Sequence, residues 1–400
     1  MQAKSLYVHI PFCRHKCAYC DFFSIPCRSA IPDAYIDSLL NEISFYRRKR
    51  FSADGFKTVY LGGGTPSLLS PNQLSRILGA ACIPAPPEEV TVEVNPESLS
   101  EAHLEAFASC PAKRRRLSVG IQSLTPSALE SVGRACGPKE ARAALSLIRQ
   151  HWPFELCLDL IAGLPCQSGT EFKDSLTECI SYRPDHLSLY SLTLEEGTPL
   201  YRSIEGMDWD GDEADRQWLE GKGLLEAAGY VQYEVSNFCR KGRESLHNMA
   251  YWKQEDYIGI GSGATGSLYS FSDEAGIRWT NTRDIAVYTD FWHSGNGEGS
   301  IPRELERLDL AIEEEEFLMM GLRSTHGINS AEYRRRFSKL APWKGNLEQR
   351  LGVTGGAWDR FSSLEGMAAC CITEKEGEET NYSFTGQALA FLNTFLRHLT

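Results

Sequence analysis

The feature that most limits the fold of this 400-residue chain is an alternation. From residue 5 to about residue 192, short β-rich runs ("SLYVHI", "KTVYLG", "EVTVEV", "RLSVGIQ", "FELCLDLI" and "DHLSLYSL") are separated by longer amphipathic stretches of helical period. Neighbouring parallel strands need a crossover of helical length, so the pattern predicts parallel βαβ units. Several runs are apolar almost throughout, as strands covered on both faces are. Six units fall short of a closed eightfold barrel. They predict an α/β fold, a partial (β/α)6 barrel with a smaller, mainly helical C-terminal domain, and chemistry gathered at the C-terminal strand ends.

Those ends carry a series of polar or glycine-rich signatures. Three cysteines follow the first strand, "GGGTP" the second and Glu93-Val94-Asn95-Pro96 the third, Gly120-Ile121-Gln122 closes the fourth, and Asp159 lies in the fifth. Each alone is ordinary punctuation. Together they aim functional groups at one mouth. Beyond residue 200 come a helical "EADRQWLEGKGLLEAAG", a strand-like "YVQYEVSNF", an aromatic "HNMAYW" and a glycine-rich "YIGIGSGATGS". That glycine run lacks the βαβ setting and the later acidic residue of a dinucleotide site. Residues 270–300 read as loop-rich, with "NGEGS" as a linker, and a charged helix, "LERLDLAIEEEEFLMMGLRS", opens the last region. The expected divisions are 1–235 for the barrel, 236–300 for a connecting segment and 301–400 for the C-terminal domain. Lys113–Arg116 ("KRRR") is expected to be a solvated turn, and Glu313–Glu316 a solvated helix face.

A net charge of −12 weighs against broad nucleic-acid binding. The chain start has no basic, then apolar, leader pattern, and no apolar run approaches the roughly eighteen residues of a membrane span. A cytosolic protein without a membrane segment is therefore expected. Thirteen scattered cysteines do not suggest a disulfide framework. Cys13, Cys17 and Cys20, packed into eight residues, need their own explanation. A disulfide uses only two of them, and zinc needs a fourth ligand such as His15 or Cys27. An iron–sulfur cluster fits best: three thiolates on a short loop hold a [4Fe–4S] cube and leave one iron open to a small molecule.

The spacing Cys-x3-Cys-x2-Cys within "YVHIPFCRHKCAYCDF" resembles the radical S-adenosylmethionine (SAM) superfamily, and in particular its HemN/HemW branch of anaerobic coproporphyrinogen III oxidases and heme chaperones. The resemblance runs in order along most of the chain. It implies that the amino and carboxylate groups of SAM chelate the open iron, and that an electron from the cluster cleaves the sulfonium. Tyr7, Gly63, Gly64, Thr65, Glu93, Gln122, Arg134 and Asp159 stand where that family contacts SAM. Glycines admit close backbone approach, carboxylates accept from ribose hydroxyls, and Arg134 is suited to hold a carboxylate. Relatives carry histidine two residues after that arginine, where this chain has Cys136.

Within the branch, the oxidases carry a fourth cysteine two residues after the third, a position held here by Phe22, and tens of residues before the motif, whereas the first ligand here is residue 13. "HLSLYSLTLEEGTPLYR" and "YEVSNFCRKGRESLHNMAYW" are similar to the heme chaperones. The resemblance implies heme binding by His247, Asn248, Tyr251 and Trp252, with imidazole on the iron and the aromatic rings stacked on the macrocycle. Read from the residues alone, His247 satisfies a hydrogen bond in an aromatic loop packed on the barrel. Cys-x-x-Cys-His is absent, so covalent heme attachment has no support, and Cys110-Pro111 is too short to count as a heme motif. Thr265 stands where relatives have histidine. The expectation is a heme-binding protein that passes heme to an unidentified acceptor protein, with an electron donor required if SAM is cleaved. The alternative is a SAM-dependent porphyrin oxidoreductase. No residue is singled out as catalytic.

Overall fold

The computed structural model describes residues 4–49, 54–204, 209–269, 275–293, 300–340, 347–364, 367–377 and 379–396. Six strands follow the six β-rich runs: β1 (Ser5–Ile10), β2 (Thr58–Gly63), β3 (Glu89–Val94), β4 (Arg114–Gln122), β5 (Glu155–Ala162) and β6 (His186–Ser191). Each pairs in parallel with the next. The crossovers carry helices α1 (Asp33–Arg48), α2 (Pro71–Ala81), α3 (Glu101–Ala108), α4 (Pro138–His151) and α5 (Gly169–Ser181). Two helix starts are written in the sequence as capping boxes, Ser70 with Gln73 and Ser168 with Glu171. On β1, Leu6, Val8 and Ile10 are fully buried in the layer shared with the helices. Tyr7 and His9, of opposite parity, face the other way, into the lumen.

The sheet continues past both ends of this unit. Beyond β6 lie β7 (Val231–Gln232) and β8 (Asn237–Cys239), both in antiparallel pairings. On the far side of β1, β9 (Tyr257–Ile260) adds a seventh parallel strand, followed by antiparallel β10 (Thr265–Leu268), β11 (Gly276–Asn281) and β12 (Arg303–Leu308). The twelve-stranded order is β12-β11-β10-β9-β1-β2-β3-β4-β5-β6-β8-β7. β1 is thus internal, paired with β2 on one side and with a strand some 250 residues later on the other.

Several sequence expectations change. The region 270–300 is not loop throughout, for it holds β11 and helix α6 (Ile285–His293), while residues 296–299 of "NGEGS" lie outside the described residues. β12 belongs to the large sheet, so the sheet claims residues beyond position 301. The last region has its own apolar cluster, running from Phe317 to Phe395, around α7 (Leu310–Gly321), α8 (Ser330–Phe337) and a small sheet in the order β13 (Ile328–Asn329), β15 (Glu379–Phe384), β14 (Cys371–Glu376). The Glu313–Glu316 run on α7 is not a solvated face. Glu314 is 0% exposed and accepts from Tyr333 Oη at 2.6 Å and from Arg350 Nε at 3.1 Å, while Glu316 pairs with Arg278. The reason is that α7 lies between the large sheet and the last region.

Nor is "KRRR" a turn. Its arginines open β4, and Arg116, 2% exposed, forms ion pairs with Glu89 and Glu155 beneath the sheet. Arg114 and Arg243 complete this network by pairing with Glu155. A buried charge is tolerated only with such partners.

Candidate functional site

The C-terminal ends of β1 to β5 converge on the three thiols. Their loop is tied down along its length: Cys20 N–H donates to Cys17 O at 3.1 Å, Ala18 N–H to Val132 O at 2.9 Å and Cys27 N–H to Cys13 O at 2.7 Å. Burial pushes the Cys20 thiol up to about 11. Metal coordination offsets such a penalty by deprotonating the thiol.

The turn after β2 packs against this loop. Gly63 has φ +108°, and a Cβ there would lie 2.4 Å from the His9 ring, while one on Gly64 would lie 2.6 Å from Phe12 O. No side chain fits either place. Gly64 and Thr65 donate their N–H groups to Ile10 O and Phe12 O at 2.8 and 2.7 Å. The later glycine run has the same use on the other flank of β1, since a Cβ on Gly263 would strike the Phe23 ring. Thr265 bonds the Thr280 hydroxyl at 3.0 Å in the sheet.

His9 and Tyr7 form an oriented pair. Phe23 O can only accept, so His9 Nε2, 2.9 Å away, carries the hydrogen, and Nδ1 accepts from Tyr7 Oη at 2.9 Å. Burial lowers the His9 pKa to about 4, so the ring is neutral. Tyr7 therefore spends its hydrogen on His9 and keeps its oxygen lone pairs for a ligand.

Two carboxyl groups lie deeper. Glu93 accepts from Tyr60 Oη at 2.6 Å and Gly63 N–H at 3.2 Å, and burial, opposed by those bonds, lifts its pKa to about 7. Asp159 accepts from Ser118 Oγ at 3.0 Å and is also raised by burial. Gln122 adopts a left-handed φ of 65° at the bulge that ends β4. Tyr190, lumen-facing by parity at the end of β6, keeps an exposed ring.

Arg134 is committed differently from the sequence expectation of a carboxylate clamp. Its guanidinium donates to Asn95 Oδ1 at 3.0 Å, to Gly120 O, and to Cys17 Sγ at 3.8 Å. Its Nε is buried without a partner. Asn95 and His9 are site residues that sequence reasoning missed. Each stands two residues from a predicted contact on the same strand face, Asn95 after Glu93 and His9 after Tyr7, and that period-two spacing was the available signal.

The expected heme ligand does not reach the mouth. His247 lies on the helix Leu246–Trp252, which closes the opposite, N-terminal end of the strands. Thr58 Oγ1 gives its hydrogen to Ser5, so it accepts from His247 Nδ1 at 2.8 Å, and His247 Nε2 then accepts from Tyr251 Oη at 3.0 Å. The ring is 1% exposed, packs on Tyr60 at 5.1 Å, and has its pKa lowered to about 3 by burial. The lone pair an iron would need is already used. Tyr251 is engaged in the same contact, Trp252 packs against Tyr233, Cys239 and Met249, and Asn248 lies on the same short helix. The helix that carries His247, Asn248, Tyr251 and Trp252 thus forms a floor at the far end of the strands from the thiols, whereas the resemblance implies heme binding by these residues.

The fold and the mouth define a class: parallel α/β proteins with three thiols, a glycine turn and buried carboxyls at the strand ends. The Radical SAM superfamily profile matches residues 7–179. The mouse "Radical S-adenosyl methionine domain-containing protein 1, mitochondrial" is 35% identical over 354 residues, 85% of this chain and 77% of its own length. The Escherichia coli "Heme chaperone HemW" is 39% identical over 286 residues, 70% and 74% of the two chains. Among solved structures, E. coli coproporphyrinogen III oxidase (HemN), described as a radical SAM enzyme, superposes with a TM-score of 0.74 at 19% identity, covering 100% of this chain and 90% of that one, a likeness of fold. The chain belongs to the radical SAM superfamily, in its HemN/HemW branch. Among the described residues, no helix is long and apolar enough to cross a membrane.

Proposed function

We propose that this protein is a heme chaperone that binds heme and passes it to an acceptor protein, with a [4Fe–4S] cluster on Cys13, Cys17 and Cys20 and SAM at the mouth. The observation that carries the reading is Phe22. It stands in the cluster loop where the oxidases have a further cysteine, and its ring is 64% exposed. The likeness to a protein named as a heme chaperone supports the same reading.

The tethered cysteine loop and the glycine cradle suit a cluster and a closely approaching amino acid. When bound, the cluster and SAM supply one-electron chemistry at the mouth. Around them Tyr7 presents an acceptor oxygen, Gly63, Gly64 and Thr65 expose backbone, and Glu93 and Asp159 offer acceptors in the lumen. Gln122 and Arg134 border the same space. The heme ligands in this reading lie outside the floor helix, and the proposed site of action is the cytosol, where thiols stay reduced.

The test uses anaerobically reconstituted protein. The expected result is about four irons per chain, lost in Cys17→Ala, together with a Soret band on addition of hemin. Coproporphyrinogen III supplied with SAM and reductant remains unchanged. Its conversion to protoporphyrinogen would replace the chaperone reading with that of a porphyrin oxidoreductase, which needs an electron donor for turnover.

A further inference from the structure

The cysteine loop is linked to the neighbouring strand ends by a hydrogen-bond circuit whose direction is fixed by chemistry. A guanidinium has only donors, so the Asn95 amide atom facing Arg134 Nη2 at 3.0 Å must be its oxygen. The amide nitrogen then faces Thr65 and donates to Oγ1 at 3.2 Å. With that lone pair occupied, the Thr65 hydroxyl directs its own hydrogen to Cys13 Sγ, 3.5 Å away. The same guanidinium reaches Cys17 Sγ through Nη1 at 3.8 Å. One permanent cation therefore feeds two cluster thiols, one directly and the other through an amide and a hydroxyl.

The circuit is held from behind. Asn95 N–H donates to Ser67 Oγ at 3.0 Å, Thr65 N–H to Phe12 O at 2.7 Å, and Gly120 O accepts from Arg134. These bonds fix the backbone of both relay residues and one side of the guanidinium. In a chain of hydrogen bonds each donor is polarised by the one before it.

We propose that Asn95 is a positioning residue for the cluster: by coupling Arg134 to Thr65 it secures a hydrogen bond on the Cys13 sulfur beside the one on Cys17, and so raises the reduction potential of the bound cluster. Donors aimed at cluster sulfurs stabilise the more negative, reduced state, which is the sign of the effect. The proposal rests on the cluster reading given above. The couple concerned is the uptake of one electron by the oxidised cluster from an added chemical reductant, with no bond made or broken.

The experiment compares wild type, Thr65→Val, Asn95→Leu and the double variant, each reconstituted anaerobically and titrated with dithionite while the reduced cluster is followed by electron paramagnetic resonance. Both single variants should keep about four irons and show a midpoint more negative than wild type. The double variant should shift by less than the sum of the two, since both changes interrupt one chain. An unchanged midpoint in Thr65→Val with full iron content overturns the circuit, as do strictly additive shifts. Should Asn95→Leu fail to take up iron, wild type in heavy water serves instead: the exchangeable-deuteron coupling to the cluster should lose one component in Thr65→Val, that of the hydroxyl on Cys13, while the Arg134 deuterons on Cys17 remain, and an unchanged spectrum overturns the proposal. Wild type that binds no iron at all overturns the cluster reading and the circuit together.

Discussion

Glu42 shows how much a single residue can do without being visible in the sequence. It lies on α1 at 0% exposure, and its carboxyl accepts from Gly261 N–H and Asn281 Nδ2, each at 2.9 Å, and from Tyr288 Oη at 2.5 Å. Those partners are 219 to 246 residues away in the chain, so no local pattern announces them. Burial raises its pKa from 4.5 to about 7. Between those values the native protein keeps a proton that the unfolded chain has released, so stability is full below the lower value and falls as pH rises through the upper one. At about 1.4 kcal/mol per unit the loss from Glu42 is about 3 kcal/mol. Glu93 and Glu234, also raised to about 7, add loss of the same sign. The buried neutral histidines His9 and His247, lowered to about 4 and about 3, contribute the opposite sign up to their ordinary value, so the Glu42 contribution is read as a difference: in urea unfolding the stability of wild type should fall relative to Glu42→Gln between about pH 5 and about pH 7.5. An unaltered slope in that variant would assign the decline to other groups. At the mouth, by contrast, the three thiols of the first loop and the glycine turn after β2 stand out as motifs in the sequence. Asn95 and His9 do not, because their roles depend on atoms brought from other strand ends.

Among the elements, the six parallel strands were legible because both faces of each are covered and the apolar runs are nearly continuous. The arginines of β4 and the glutamates of α7 misled for a shared reason. A charge run looks solvated unless its partners are known, and here the partners come from distant segments. The motif on the helix Leu246–Trp252 is the same whether it faces heme or plugs the strand ends. Only its position decides. His247→Ala removes two hydrogen bonds and a ring packed on Tyr60, and should cost about 2–4 kcal/mol in urea unfolding. Hemin titration of the folded variant should match wild type. A weakened Soret band at equal folded fraction would return His247 to the heme site.

Across the whole molecule, two apolar clusters meet at a polar join. Val235 N–H donates to Arg323 O at 3.0 Å, Thr325 N–H to Tyr233 O at 2.9 Å, Gln254 Nε2 to Glu313 O at 2.9 Å, and Arg278 grips Glu316. Such a join should make the apo-protein unfold in one calorimetric transition, and removing two of its members together, Arg278→Ala with Gln254→Ala, should split off a lower transition from the last region. A single transition in the double variant would show that the backbone bonds alone suffice. The sheet order has a further consequence, in time rather than space. β1 is made first, yet the strand that flanks it, and the glycines that press on His9 and Phe23, are made after residue 256. While the chain is still emerging from the ribosome, the cysteine loop has only one of its two walls. Its supporting nest is complete only once Gly263 has left the ribosome, so a fully walled cysteine loop belongs to a chain of which more than half has been made.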